Sequence, residues 1–124
     1  MNATHKAQAA YRSAAQPIKT PRGTEYEAFA RITARLTSAA LPSAGFGDLA
    51  GAVHDNRRLW TILAADAAGR DNRLPEALRA RILYLAEFTR RHSGKVLREA
   101  ASTRPLIDIN TAVMRGLHER STGS

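Results

Sequence analysis

The sequence has no cysteine, few aromatic residues and no long apolar run, and each absence excludes a class of protein. Without cysteine, the chain has no disulfide, no thiolate metal site and no cysteine nucleophile. No apolar run approaches the roughly 20 residues of a membrane span, and no signal-peptide-like apolar stretch follows Met1. We therefore expect a cytoplasmic protein that does not insert into membranes.

Acidic residues are also scarce, with 11 Asp and Glu against 19 Lys and Arg and a formal net charge of +8. Arginine supplies 16 of the basic residues. Such an excess favours acidic partners, including RNA, through long-range attraction. The competing interpretation is that arginine replaces lysine in an organism with GC-rich coding DNA, which the abundant alanine also suits. The charge therefore informs on association and not on fold.

Strand signals are nearly absent, because the sequence has no alternating β-branched runs and no Asn-Gly or Asp-Gly turns. Apolar residues recur instead at helical spacing in four segments. The 124 residues fit one domain, and the 44 % hydrophobic content supports a packed core. We predict an all-α fold: a small bundle of about four helices over residues 20–120. A flexible or weakly helical Ala-rich segment (1–19) precedes it, and a disordered tail (121–124) follows.

Proline and glycine set the predicted helix bounds at about 20–41, 46–68, 75–96 and 105–119. Gly69 is expected to end the second helix. Leu74 is the expected cap of the third helix, with Pro75 as its first residue. Ser93-Gly94 lies within the third pattern and marks a place where that helix weakens, bends or ends.

Motifs for catalysis and for cofactors are missing. The glycines form no phosphate-binding loop, and no serine stands in a GxSxG elbow. None of the four histidines has another histidine or a carboxylate three or four positions away, as a metal site on one helix face requires. We expect a protein that is not an enzyme and that holds no cofactor or metal.

The second helix carries the clearest apolar stripe, which includes Asn56 and Trp60. Trp60 is expected to pack in the core, where its indole N–H needs a partner. Asn56 either fixes the helix register or faces a groove where a partner docks. Structural roles are favoured for both, since buried polar groups usually find internal partners. Arg57 and Arg58 are about 100° apart on the helix, so at least one is exposed.

Two further segments are candidates for binding. In Leu106-Ile107-Asp108-Ile109-Asn110, apolar and amide side chains spread around much of the fourth helix. That helix is therefore either deeply embedded or has one side available to a partner. The third helix carries a set of basic side chains that suits RNA phosphates, although a solvated face is the favoured reading because few aromatic residues lie between them. The set is Arg79, Arg81, Arg90, Arg91 and Arg98.

Four stretches of the sequence resemble the FlaF family of flagellar proteins. Residues Pro21–Glu27 are similar to its Pro-Arg-x-x-Glu entry, and Asn56–Leu63 to its Asn-x-x-Leu-Trp motif. Residues Asn72–Arg79 are similar to its Leu-Pro-x-x-Leu-Arg connector. Leu106–Asn110 with Gly116-Leu117 is similar to its Ile-Asn…Gly-Leu ending. No single motif is specific, but their order and spacing cover most of the chain.

The resemblance implies a regulator of flagellar biosynthesis that promotes flagellin synthesis or secretion, without enzymatic activity. The implied partners are flagellin, held as an export chaperone holds its client, and an FlbT-like regulator. Two alternatives stay open: an RNA-binding post-transcriptional regulator of flagellin mRNA, and an adaptor that acts only through the FlbT-like partner.

A flagellin segment would dock by laying its apolar face into a hydrophobic groove, which we expect to involve the second and fourth helices. The candidate partner-binding residues lie in the motifs of these two helices. They are Asn56, Arg57, Arg58, Trp60, Leu63, Leu106, Ile109, Asn110 and Val113.

Overall fold

The computed structural model describes residues 21–69 and 71–123, with side chains described over 26–69 and 71–116. This part of the chain forms four helices: α1 (Pro21–Ala39), α2 (Phe46–Ala68), α3 (Glu76–Glu99) and α4 (Arg104–Gly123). The predicted all-α fold is confirmed. None of these helices is long and apolar enough to cross a membrane. The Ala-rich segment 1–19, for which flexibility was expected, lies outside the described residues.

The helix bounds follow the proline and glycine signals closely. The helix α1 ends before Leu41-Pro42, and α2 has the predicted bounds. Gly69 ends α2 as expected, and its N–H donates to the carbonyl of Asp66 at 3.1 Å. Pro75, however, is the cap of α3 and not its first helical residue, because its backbone is extended (ψ 145°). Its carbonyl still accepts from the N–H of Arg79, so the first helical bond starts at Pro75.

The helix α3 continues through Ser93-Gly94 to Glu99, and both residues are buried against the rest of the bundle. It ends at Ala100, whose φ of 56° lies in the left-handed region. The helix α4 extends to Gly123 and so includes residues 121–123, which were expected to belong to a disordered tail.

The four helices form a ring in which α1 contacts α2, α2 contacts α3, α3 contacts α4, and α4 returns to contact α1. Within the described residues α2 and α4 are not neighbours and lie on a diagonal of this ring. Short connections between successive helices give antiparallel neighbours.

Two apolar clusters fill the two ends of the bundle. The Leu36 cluster lies at the end that holds the α1–α2 and α3–α4 connections, and the Trp60 cluster lies at the other end. Buried members of the Leu36 cluster are Leu36, Ala39, Ala52, Val53, Val96 and Leu106. Buried members of the Trp60 cluster are Ala28, Phe29, Leu59 and Trp60.

A buried polar layer separates the two clusters, and every helix contributes to it. Along each helix the polar residue comes between a member of one cluster and a member of the other. The layer consists of Thr33, Asn56, Thr89, Ser93 and Asn110. Because polar groups cost free energy when they are buried without partners, this layer is the feature of the core that most needs explanation.

Candidate functional site

A chain of two hydrogen bonds crosses the polar layer. The indole Nε1–H of Trp60 donates to Oδ1 of Asn110 at 2.9 Å, and Nδ2 of Asn110 donates to Oδ1 of Asn56 at 2.7 Å. All three side chains are at most 2 % exposed. The bonds join α2 to α4 across the diagonal of the ring. They fix the relative position of these two helices, which are linked through side chains and do not pack side by side.

The surroundings of Trp60 support the predicted structural role. Its ring meets Phe29 of α1 edge to face, with centroids 5.8 Å apart and planes at 78°. The polar layer is not fully paired, however. Nδ2 of Asn56 and the hydroxyl oxygens of Thr33, Thr89 and Ser93 are buried and have no hydrogen-bond partner within the described residues. The layer therefore carries a stability cost for the register that it specifies.

The predicted partner-binding residues divide into two groups by accessibility. Asn56, Trp60, Leu106 and Asn110 are enclosed in the core, and no partner reaches them in this conformation. The others keep some exposed surface: Leu63, Ile109 and Val113 pack against the Trp60 cluster, and Arg57 and Arg58 are half-buried.

A hydrophobic groove involving the second and fourth helices stays a prediction, and any such groove needs a helix between them because the two are not neighbours in the ring. These two helices lie on a diagonal, and what they share is the buried Trp60–Asn110–Asn56 chain. Periodicity gives the apolar face of each helix, but it does not say which helices are neighbours.

A partly exposed apolar edge lies between α3 and α4, the pair with the least extensive contact in the ring. At the Trp60 end, six apolar side chains of these helices pack on the cluster from its border and stay partly exposed. This apolar edge consists of Ile82, Leu85, Ala86, Ile109, Val113 and Met114.

A basic groove lies on another side of the bundle, between α2 and α3. Its lining combines one arginine of α2 with four basic residues, one glycine and one glutamate from the C-terminal half of α3. The lining residues are Arg57, Arg90, Arg91, Gly94, Lys95, Arg98 and Glu99. The sequence pointed to Arg90, Arg91 and Arg98 as one set, but only the packing of α2 on α3 adds Arg57 to it.

The cations of the basic groove are unequally neutralised. Glu87 binds both Arg90 (2.6 Å) and Arg91 (3.5 Å). The hydrogen bond from Arg90 lowers the pKa of the Glu87 carboxyl, and the same contact raises the pKa of Arg90. Within the described part of the chain, Arg57, Lys95 and Arg98 have no carboxylate within 4.0 Å. Three positive charges therefore share the groove without compensation.

Arg79 and Arg81, which the sequence grouped with these arginines, lie outside the groove. The Nε–H of Arg79 donates to the carbonyl of Ala67 at 2.9 Å, so this side chain caps the end of α2. Arg81 is exposed.

Nearby, Asn72 organises the α2–α3 connection from both sides. Its Nδ2 donates to the carbonyl of Asp66 at 3.0 Å, and its Oδ1 accepts from the N–H of Leu74 at 2.9 Å. Together with Arg79, it gives the Asn-Arg-Leu-Pro-Glu-Ala-Leu-Arg stretch a structural role.

Comparisons with known proteins agree with these motifs. A family model described as flagellar protein FlaF matches residues 7–117, which is most of the chain. Comparison with curated proteins gave no match, and comparison with solved structures gave none either. The match spans all four of the stretches that resemble the family, together with the helices that hold the polar layer. The chain belongs to the FlaF family of flagellar proteins.

Proposed function

We propose that this protein promotes flagellin synthesis and secretion by binding flagellin directly, as an export chaperone in the cytoplasm, without catalysing a reaction. Family membership supports the flagellar role. The observation that carries the choice of flagellin is the apolar edge between α3 and α4, where apolar side chains reach the surface beside the loosest helix contact of the ring.

The physical basis of the proposal is helix-in-groove docking. Unassembled flagellin has amphipathic terminal segments, which cannot bury their apolar faces alone. A helix laid between Leu85 of α3 and Val113 of α4 would extend the Trp60 cluster outward and remove both side chains from water. Complete burial of a side chain of this size contributes on the order of 2 kcal/mol, and because Leu85 and Val113 are already partly buried each gains only a fraction of it, so binding draws on the whole apolar edge.

Titration calorimetry against monomeric flagellin tests the proposal. We expect binding with a negative heat-capacity change, because apolar surface is buried. The edge variants Leu85→Ser and Val113→Ser should weaken binding, whereas Leu41→Ser, at a 55 % exposed apolar residue of the α1–α2 connection, should not. Circular dichroism of each variant separates lost binding from lost folding.

Hydrogen exchange of the unmodified protein gives a second reading that does not depend on variants. Bound flagellin should protect amides of α3 and α4 around Leu85 and Val113. Folded edge variants that bind flagellin as the parent does, or protection confined to other helices, would contradict the proposal.

The competing accounts are direct binding of flagellin mRNA and action only through an FlbT-like partner. Of the arginines named for RNA, Arg79 is engaged at Ala67, and both Arg90 and Arg91 bind Glu87. Phosphate contacts would therefore fall to the cations of the basic groove that have no carboxylate partner. Titration with a flagellin mRNA leader at two salt concentrations addresses the first account. Pull-down with purified flagellin and with the purified FlbT-like protein, each alone, addresses the second.

A further inference from the structure

In the basic groove, the guanidinium of Arg98 lies against Gly94. It occupies the space that a side chain at position 94 would need. An ideal Cβ built on Gly94 would come within 2.7 Å of Nη2 and 3.1 Å of Nη1 of Arg98. Gly94 is buried, so the glycine lets the Arg98 guanidinium lie close against α3. Arg98 is exposed and has no carboxylate within 4.0 Å among the described residues, so its guanidinium is available to an anion.

The groove gathers more positive charge than its own carboxylates neutralise. Arg57, Lys95 and Arg98 have no carboxylate partner among the described residues, and Glu87 is shared between two arginines. Like charges placed side by side disfavour the free protein and favour the bound state when an anion enters. Guanidinium groups bind carboxylates in a bidentate fashion, which adds geometric selectivity to this attraction.

Exposed apolar side chains lie on α3 before the cationic part of the groove and outside its lining. Leu83, Glu87, Arg90 and Gly94 recur at helical spacing and therefore share one stripe of α3. Leu83 is 40 % exposed and the adjacent Tyr84 is 70 % exposed. Along α3 the surface thus changes from exposed apolar residues to unpaired cations within about three helical turns.

The geometry points to the basic groove as a docking site for an acidic amphipathic helix of a partner protein. Carboxylates of that helix bind Arg57, Lys95 and Arg98, and its apolar residues contact Leu83 and Tyr84. The site is separate from the apolar edge between α3 and α4, and it does not depend on flagellin being the client of that edge.

The lining of the groove favours a protein segment over RNA. Glu99 forms part of the wall, and Glu87 binds Arg90 and Arg91, so negative charge interrupts the row of cations that a continuous phosphate backbone would follow. None of the lining residues among those described is aromatic, so the groove offers no series of rings on which bases stack.

Fluorescence anisotropy with two labelled probes tests this site on the full-length protein. One probe is a helical peptide in which leucines recur every three or four residues along one face and glutamates recur at the same spacing along the next. The other probe is a single-stranded oligouridylate of equal formal charge. We expect the peptide to bind more tightly than the oligonucleotide. Arg98→Glu should weaken peptide binding on the order of tenfold or more, because it replaces an attraction with a repulsion.

The matched control is Arg31→Glu, an equal change of charge at an exposed residue of α1, which does not contact α3. It should weaken peptide binding by less than about twofold, through net charge alone. Gly94→Ala keeps every charge but displaces the Arg98 guanidinium, and it should weaken peptide binding while circular dichroism stays helical.

Three results would overturn the assignment. The first is equal loss in Arg31→Glu and Arg98→Glu, which would make the attraction one of net charge. The second is parental affinity in Gly94→Ala. The third is tighter binding of the oligonucleotide with its own loss in Arg98→Glu, which would make the groove an RNA site.

Discussion

The indole N–H of Trp60 and the side-chain carbonyl of Asn110 form a buried hydrogen bond of 2.9 Å that spans the diagonal of the helix ring. The two residues stand 50 positions apart, on helices that do not pack along each other. Since Asn110 also donates to Asn56, one amide satisfies two groups of α2 at once. The family motifs around Asn56-Arg57-Arg58-Leu59-Trp60 and Ile109-Asn110 thus meet in the core, where they set the relative position of α2 and α4.

Asn110→Ala should therefore destabilise the fold more than an ordinary polar truncation does. It removes both bonds and leaves the Trp60 N–H and Asn56 Oδ1 buried without a partner. We expect a loss of about 3 kcal/mol in the free energy of unfolding, measured by urea denaturation. Asp108→Ala, which removes an exposed ion pair with Arg104 on the same helix, should cost less than about 1 kcal/mol. Similar losses in the two variants would show that the buried chain contributes little.

Asn56 and Asn110 should be energetically coupled. Either alanine variant alone strands a polar group of the other residue, whereas the double variant removes both groups. The double variant should therefore lose about 1–2 kcal/mol less than the sum of the single losses. Asn56→Ala combined with Asn72→Ala, in the α2–α3 connection, is the matched pair without a shared bond, and its losses should add. Additive losses for Asn56 and Asn110 would mean that their bond has no net effect.

Helix existence and bounds could be predicted from the sequence because proline, glycine and apolar spacing are local signals. The burial that apolar spacing predicts was right in the middle of the helices and wrong near their ends. The apolar spacing of α2 starts at Phe46, which is 64 % exposed. In α1, three- and four-residue spacing from Phe29 and Leu36 predicts a buried Ala40, but Ala40 is exposed and Ala39 is buried in its place. A residue in the first or last turn of a helix has fewer neighbours to cover it, so spacing alone overestimates its burial.

The candidate surfaces could not be predicted because they depend on which helices are neighbours. Spacing placed Asn56 and Trp60 on the apolar face of α2, but their hydrogen-bond partner is Asn110, a long way along the chain. In the same way, Arg57 and Arg98 line one groove only because α2 packs on α3. No local signal in a single sequence carries that pairing.

Gly51 of α2 should report on the ion pair between Arg35 of α1 and Asp55. The Arg35 guanidinium passes over Gly51 to reach Asp55, and an ideal Cβ on Gly51 would come within 2.7 Å of Nη2 of Arg35. In an Arg35→Ala background, Gly51→Ala should stabilise the protein by about 0.5–1 kcal/mol through helix propensity. With Arg35 present the gain should be smaller, because the new methyl group displaces the arginine.

The difference between these two gains measures how much of the Arg35 interaction the methyl group removes, and because the ion pair with Asp55 is exposed the difference should be less than about 1 kcal/mol. Urea denaturation of the four proteins in this cycle gives the value. Equal gains in both backgrounds would mean that Arg35 moves aside without losing its interaction with Asp55.

Ala100 ends α3 in a backbone conformation that favours glycine. Its φ is 56°, and the N–H of Ala101 closes the helix end by donating to the carbonyl of Lys95 at 3.2 Å. A Cβ in the left-handed region costs on the order of 1 kcal/mol, so Ala100→Gly should raise the free energy of unfolding by about that amount. Ala80→Gly is the matched control, because it makes the same chemical change at an exposed position inside α3. There it should destabilise by about 1 kcal/mol, through lost helix propensity. Thermal unfolding of both variants should therefore shift in opposite directions, and destabilisation by Ala100→Gly would show that the left-handed end of α3 is not the conformation that the protein adopts.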